Sequence, residues 1–291
     1  MISNNLFYQH YQANFFNLKQ SWLGYLLENH ESIELKSGHL SNIEDKEILI
    51  SIKTDIRQTY FQAIETVFEI LFGLGPNDKG EFPQNILKNI SSGKLNYNRI
   101  NSISKDANEL NYLNQELIIN GNRKVSLGEY IFYFGIDGTN RYGDDLTNSI
   151  IAIKHALFIL SQDFSDRSEY NSYKHGLRVM RALRNFSILN SETQKEEMNF
   201  SLSDSMTYYS NDKKKNESSF VTKLFDTERD LRMISICSNI IHTMIRNRDF
   251  YLNNKETENK LPILIFGIDE IREAAKTNVK IQNIVYTYKE I

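Results

Sequence analysis

The stretch from residue 45 to 73 most limits what this chain can become. Ile48, Leu49, Ile52, Ile56, Tyr60, Ile64, Val67, Phe68 and Leu71 recur there at helical steps, with no proline among them. That spacing collects them along one side of an α-helix. A helix this long and this apolar belongs in the middle of a core, with other elements covering it. The glycines and prolines of GLGPNDKGEFP (73–83) end it. Gly75 and Gly80 have the separation of a phosphate-binding loop, but Glu81 and Phe82 stand where Lys and Ser or Thr are needed, so the segment is a turn.

The rest of the pattern is mainly helical. Only three prolines interrupt 291 residues, leaving long stretches free to wind. Residues 6 to 29 carry Phe15, Phe16, Leu18, Trp22, Leu23, Leu26 and Leu27 as a broad apolar face of a first helix. Residues 84 to 125 are polar and rich in asparagine, with short helical pieces around 108–119 and a turn at Asn120-Gly121-Asn122. Ser126-Leu127-Gly128-Glu129 has the form of a capping box opening a short aromatic helix. Asp144 or Asp145 is placed to cap the next helix, which runs to about Leu160 through Ile150, Ile153 and Leu157. A further helix is expected over 167–186. The period then falls to two: residues 198–210 and 220–225 read as a β-hairpin with the charged stretch NDKKKNESS at its tip. Helical spacing returns over 227–248. LPILIFGI (261–268) fits strand or helix, and 279–288 reads as a last strand. The fold class expected is mainly α, a helical bundle with a small β element in the C-terminal third.

Composition narrows the function classes. Hydrophobic residues make up 40% and charged residues 24%, as in ordinary globular proteins. The net charge of −3 argues against attraction of the whole molecule to nucleic acid or anionic lipid. The single cysteine, Cys237, sits among Met233, Ile234, Ile236 and Ile240 and reads as a buried, inert thiol. No apolar run approaches the length of a membrane span, and the first residues lack the order of a signal peptide. A cytoplasmic location with no membrane association is expected. His10, His30, His39 and His155 show no paired metal-ligand spacing; Asp137, Asp144 and Asp145 are an acidic trio of the kind that binds a hard cation, but capping accounts for two of them, so no metal and no cofactor are called for.

One segment is dense in reactive side chains. On a helix over 167–186, Asn171, Lys174, Arg178, Arg181 and Asn185 share one side at steps of three and four, with His175 beside Lys174. Between residues 166 and 185 there are five Lys or Arg and two Asp or Glu, a local charge of +3 within a −3 chain. Guanidinium forks match phosphate oxygens bidentately. Nearby cations also depress a histidine's pKa, which favours the neutral imidazole a general base needs. Glu65 and Glu69, four apart on the otherwise apolar long helix, need partners there. An ion pair with Lys174 or Arg178 on the motif helix is the expected one. His242, Arg246 and Arg248 form a second basic group, read as a core-edge histidine and a basic helix end.

YNSYKHG, preceded by Arg167 and set in a helical domain, resembles the HEPN superfamily. The resemblance covers about residues 45–190. It implies a helical bundle over 1–190; residues 191–291 are unmatched by it and are expected, from their own pattern, as a β-hairpin plus helical C-terminal extension packed on the same domain. Proteins of that superfamily serve bacterial toxin–antitoxin, antiviral and other defence systems, and many are dimeric endoribonucleases that use no metal. Their pattern is Arg, four to six residues, then His; here seven residues separate Arg167 from His175, while Asn171-x-x-Lys174-His175-Gly176 matches a variant of it. Carried onto this chain, the resemblance makes His175 the general base, with Arg178 or Arg167 stabilising charge on the phosphorus. Asn171 would join them, Lys174 and Arg181 would support, and Glu65 or Glu69 would face the motif helix. RNA or a nucleotide would be the ligand, and a second copy or a defence partner the protein partner. Two further readings stand beside that one: a non-catalytic HEPN-like module that binds a nucleotide or a partner, and a helical scaffold in which His175 only packs.

Overall fold

A computed structural model describes residues 4–33, 45–76, 82, 86–90, 93–119, 123–136, 143–175, 179–181, 185–202, 204–212, 217–253, 262–279 and 283–289. The chain divides into two compact units, each built from separated segments. The first comprises 1–21, 59–165 and 231–276, and the second 22–58, 166–230 and 277–291.

The helices are α1 (Asn4–His10), α2 (Phe15–Glu28), α3 (Asp45–Leu74), α4 (Ile86–Asn89), α5 (Gly93–Lys105), α6 (Leu127–Phe132), α7 (Gly143–Phe164), α8 (Arg167–His175), α9 (Thr227–Asn253) and α10 (Ile268–Ala275). The strands are β1 (Glu116–Ile119), β2 (Arg123–Ser126), β3 (Val179–Arg181), β4 (Asn185–Leu189), β5 (Glu196–Ser201), β6 (Ser205–Asp212), β7 (Glu217–Leu224) and β8 (Asn283–Lys289). The protein is mainly helical, with antiparallel strand pairs gathered mostly in its C-terminal half.

In the first unit the core is a set of helix faces. Tyr60, Phe61, Ile64, Val67, Phe68 and Leu71 of α3 are sealed from solvent, as are Ile153, Leu157 and Leu160 of α7 and Met233, Ile234, Ile240 and Met244 of α9. The Phe61 and Phe164 rings lie 6.2 Å apart, and the Tyr60 hydroxyl donates to Asp163. Cys237 is fully buried, and burial pushes its thiol pKa far up, as its apolar setting predicts. The capping box before α6 forms as the sequence indicates: Ser126 Oγ accepts from the Glu129 N–H, and the Glu129 carboxylate accepts from the Ser126 N–H. At Gly135 the backbone is left-handed, with φ of 79°. A Cβ there would meet the Tyr251 ring at 2.1 Å, so only glycine fits.

Several expectations for the helical elements are corrected. The first helix is two, α1 and α2, separated at Tyr11–Asn14, and the broad apolar face divides. Phe16 and Leu23 are buried, while Phe15, Leu18 and Trp22 are exposed, Trp22 by 71%. The helical piece expected to continue to residue 119 is a 3₁₀ helix ending at Asn114, followed by β1, which pairs antiparallel with β2. β-branched and leucine residues in Glu116–Ile119 suit a strand better than a helix turn. α7 begins at Gly143, so Asp144 and Asp145 occupy its first turn rather than its cap, where carboxylates favour the positive end of the helix. Arg248, expected at a basic helix end, is 3% exposed. It donates to the carbonyls of Tyr130, Ile131 and Met244 and stacks 5.0 Å from the Phe134 centroid.

The second unit holds a four-stranded antiparallel sheet in the order β3-β6-β7-β8. β6 and β7 form the hairpin the sequence predicts, with the Thr207 and Thr222 hydroxyls bonded across it at 2.8 Å. The expected strand over 198–210 is interrupted: β5 ends at Ser201 and pairs with β4, whereas β6 begins at Ser205. Leu202 turns inward to 2% exposure, and its carbonyl accepts from Ser205 Oγ, closing the corner between them. Ile284 of β8 pairs with Thr222, which fulfils the expectation of a last strand.

The largest correction concerns the motif helix, which ends at His175 instead of near 186. Gly176 follows at once, and a glycine inside a helix costs about 1 kcal/mol relative to alanine. Beyond it Val179–Arg181 is strand β3, and Asn185–Leu189, with Phe186 and Ile188 two apart, is strand β4. The five-residue polar stripe through Arg178, Arg181 and Asn185 is therefore not a helix face.

Candidate functional site

α8 starts where Asp166 can cap it. Asp166 Oδ1 accepts from the Glu169 N–H at 3.1 Å, and its Oδ2 accepts from the Tyr208 hydroxyl of β6 at 2.6 Å. One face of the helix is then buried: Glu169 and Ser172 are sealed completely, and Tyr170 and Tyr173 nearly so. The other face carries Ser168 and Lys174, both exposed, and Asn171, half-buried. By helix periodicity position 175 shares that outer side with 168 and 171.

A buried carboxylate in the first turn of so short a helix demands cations, and the second unit supplies two. Arg57, on the α3 segment that belongs to this unit, donates from Nε to Glu169 Oε1 at 2.8 Å and from Nη2 to Oε2 at 3.4 Å. Its Nη1 donates to Asp230 Oδ1 at 2.8 Å. Lys223 of β7 donates to Glu169 Oε2 from the sheet side. Arg57, Glu169 and Asp230 are each at most 7% exposed. The four formal charges cancel. This answers the cost of desolvation, because each charge finds both an opposite charge and directed hydrogen bonds.

The electrostatics follow from that geometry. Burial pushes the Glu169 carboxyl up, but the Arg57 and Lys223 charges and their hydrogen bonds outweigh it and hold the group below the usual carboxylate range. Burial would ease the proton off Arg57, yet Asp230 and Glu169 hold it more firmly than usual. Burial, reinforced by Glu169, raises Tyr173; burial, reinforced by Asp166, raises Tyr208. Both phenols keep their protons, and Tyr208 uses its own to donate to Asp166.

The residues singled out from the sequence are placed as follows. Asn171, Lys174 and His175 lie on the last turns of α8, and the Lys174 ammonium sits 5.4 Å from the Tyr170 ring centroid. Arg167 is the first residue of α8. His175 lies eight helical steps on, about 12 Å along the axis, so the two occupy opposite ends. Arg181 is in β3, opposite Met206. Arg178 lies outside the described residues. Glu65 and Glu69 are half-buried on the part of α3 that belongs to the first unit, and Glu69 joins burial in raising Tyr11.

An ion pair between the long helix and the motif helix does exist, with its ends exchanged. The cation is Arg57 on α3, and the acid is Glu169 on α8. Arg57, absent from the residues expected at the site, does carry a signal in the sequence: it follows Ile56 and precedes Tyr60 on the side of α3 that is otherwise apolar. Asp230 and Lys223 carried no comparable mark. Among the described residues, no group of three or more His, Cys, Asp or Glu is arranged to hold a metal ion. No helix among them is long and apolar enough to cross a membrane. No family profile, curated protein or solved structure matches the chain.

Proposed function

We propose that this is a HEPN-like RNA-binding protein of bacterial defence or stress response, acting as a dimeric endoribonuclease that needs no metal ion. The observation that carries the reading is the anchoring of α8. Its inner face is fixed by Arg57, Lys223 and Tyr208 through Glu169 and Asp166, while on its last turns Lys174 is exposed and Asn171 half-buried. A rigid base under an exposed polar tip is what positioning a phosphodiester requires. The chain immediately beyond adds Arg178, Arg181 and Arg184, cations suited to phosphate.

In this reading His175 takes the proton of a ribose 2′-hydroxyl. The 2′-oxygen attacks the adjacent phosphorus, the bond from phosphorus to the 5′-oxygen breaks, and the leaving 5′-oxygen takes a proton from solvent water, while His175 later returns its own proton to solvent. The products are a 2′,3′-cyclic phosphate and a 5′-hydroxyl end. Arg178 stabilises the charge that builds on the non-bridging oxygens. The need for a 2′-hydroxyl selects RNA over DNA. Arg167, about 12 Å away at the other end of α8, serves the strand rather than the reacting phosphate.

A second reading, binding of RNA or a nucleotide without cleavage, is favoured by the placement of Arg181 in a strand, which spreads the cations more widely than one reacting phosphate needs. End-labelled RNA incubated with the protein in EDTA separates the two. Cleavage by the wild type and none by His175→Ala supports the enzyme. Binding without cleavage supports the second reading, and neither binding nor cleavage removes both.

A further inference from the structure

A second polar cleft lies in the first unit, between the C-terminal end of α3, helix α5 and the 3₁₀ helix Ala107–Asn114. It has a volume of about 340 Å³, and its walls include Phe72, Asn98, Arg99, Ser102, Glu109 and Tyr112. The Arg99 guanidinium lies 3.8 Å from the centroid of the Phe72 ring and 6.0 Å from that of Tyr112. Phe72 is only 6% exposed, so the plane against which the guanidinium stacks is fixed.

Two observations set this place apart from an ordinary surface arginine. Arg99 forms no ion pair with any described residue, although Glu109 lines the same cleft. The Tyr112 hydroxyl is buried with no hydrogen-bond partner among the described residues. Buried hydroxyls nearly always have partners. A stacked guanidinium with no ion pair among the described residues, beside a buried phenol with no hydrogen-bond partner among them, is a pair of donors suited to one acceptor.

We propose that this cleft binds a small oxyanion-bearing metabolite, a phosphate monoester or a carboxylate, through Arg99 and Tyr112. The guanidinium fork takes two oxygens of the anionic group, and the Tyr112 hydroxyl donates a third hydrogen bond. Asn98 and Ser102 offer further donors from α5. Glu109 sits where it accepts from a hydroxyl or amino group of the ligand, and it disfavours a second acidic group there. Burial pushes the Tyr112 phenol up to about 12, against the opposing influence of Arg99, so it is a donor throughout the neutral range. The volume suits a metabolite of modest size. This site is independent of α8 and of the reading given above.

The test titrates the full-length, ¹⁵N-labelled protein with sodium phosphate and, separately, with sodium acetate, keeping ionic strength constant with sodium chloride. At least one anion should give saturable shifts of amides confined to α5 and residues 107–114. Arg99→Gln should weaken that binding by about ten-fold or more, as loss of a charge-assisted hydrogen bond does, with an unchanged melting temperature. Tyr112→Phe should weaken it in the same direction without lowering the melting temperature. The anion that saturates at the lower concentration distinguishes a phosphoryl ligand from a carboxylate. Saturation by neither anion, or an Arg99→Gln titration matching the wild type, overturns the proposal.

Discussion

The guanidinium of Arg57 meets the carboxylate of Glu169 at 2.8 Å across 112 residues of chain, with both groups buried. This contact ties the long helix α3 to the short helix α8 within one compact unit, and Asp230 and Lys223 complete it. Arg57→Met should therefore be among the most damaging single changes in that unit. It takes the guanidinium away from two buried carboxylates, Glu169 and Asp230, and removing one partner of a buried ion pair typically costs about 3–5 kcal/mol. Lys223→Met should cost less, because Lys223 is 19% exposed and Arg57 continues to hold Glu169. Urea denaturation of both variants measures the order.

Glu169 also gives stability a pH dependence. Its folded pKa is depressed below the ordinary value of 4.5, so its contribution is complete above that value. It is lost as the pH falls through the folded pKa. The melting temperature of the wild type should fall steeply below about pH 4.5. Glu169→Gln, already destabilised at neutral pH, should fall less over the same interval. Parallel curves for the two proteins would contradict this.

Tyr208 caps the network from the sheet side by donating to Asp166 at 2.6 Å. Tyr208→Phe removes a hydrogen bond to a carboxylate, worth about 1.5–3 kcal/mol, while keeping the ring that fills the site. Asp166 is then left with its capping bond to Glu169 alone. Calorimetry should record the loss in melting temperature, and far-UV circular dichroism should show no loss of helix.

Gly135 has φ of 79° and the Tyr251 ring where a Cβ would sit. Gly135→Ala should destabilise by more than the roughly 1 kcal/mol that the left-handed conformation alone costs an L-residue, since the ring must also move. Gly24, with nothing within 4 Å of its would-be Cβ, is helical, and Gly24→Ala should be neutral or stabilising by about 1 kcal/mol. Chemical denaturation of the pair checks the contrast.

Much of the architecture was legible because it rests on periodicity. α3 runs over Asp45–Leu74 where apolar spacing places a helix over 45–73, and the Ser126–Glu129 cap, the β6–β7 hairpin and the final strand follow from local chemistry in the same way. What the sequence hid depends on partners remote in the chain. The apolar face of α2 divides because only Phe16 and Leu23 find cover. The helix over 167–186 stops at His175 because extended segments beyond Gly176 pair with strands, β3 with β6 and β4 with β5. Asp230 and Lys223 look like surface charges until Glu169 is brought beside them. Units assembled from three separated segments each leave no boundary in local composition.

The most direct test of the proposed function is the chemistry of the RNA ends made in the presence of EDTA. The account predicts fragments ending in a 2′,3′-cyclic phosphate and beginning with a 5′-hydroxyl, readable by mass spectrometry. They should be absent with His175→Ala and absent when the RNA is replaced by its 2′-O-methyl counterpart. Fragments carrying a 5′-phosphate, or cleavage undiminished in His175→Ala, would contradict it.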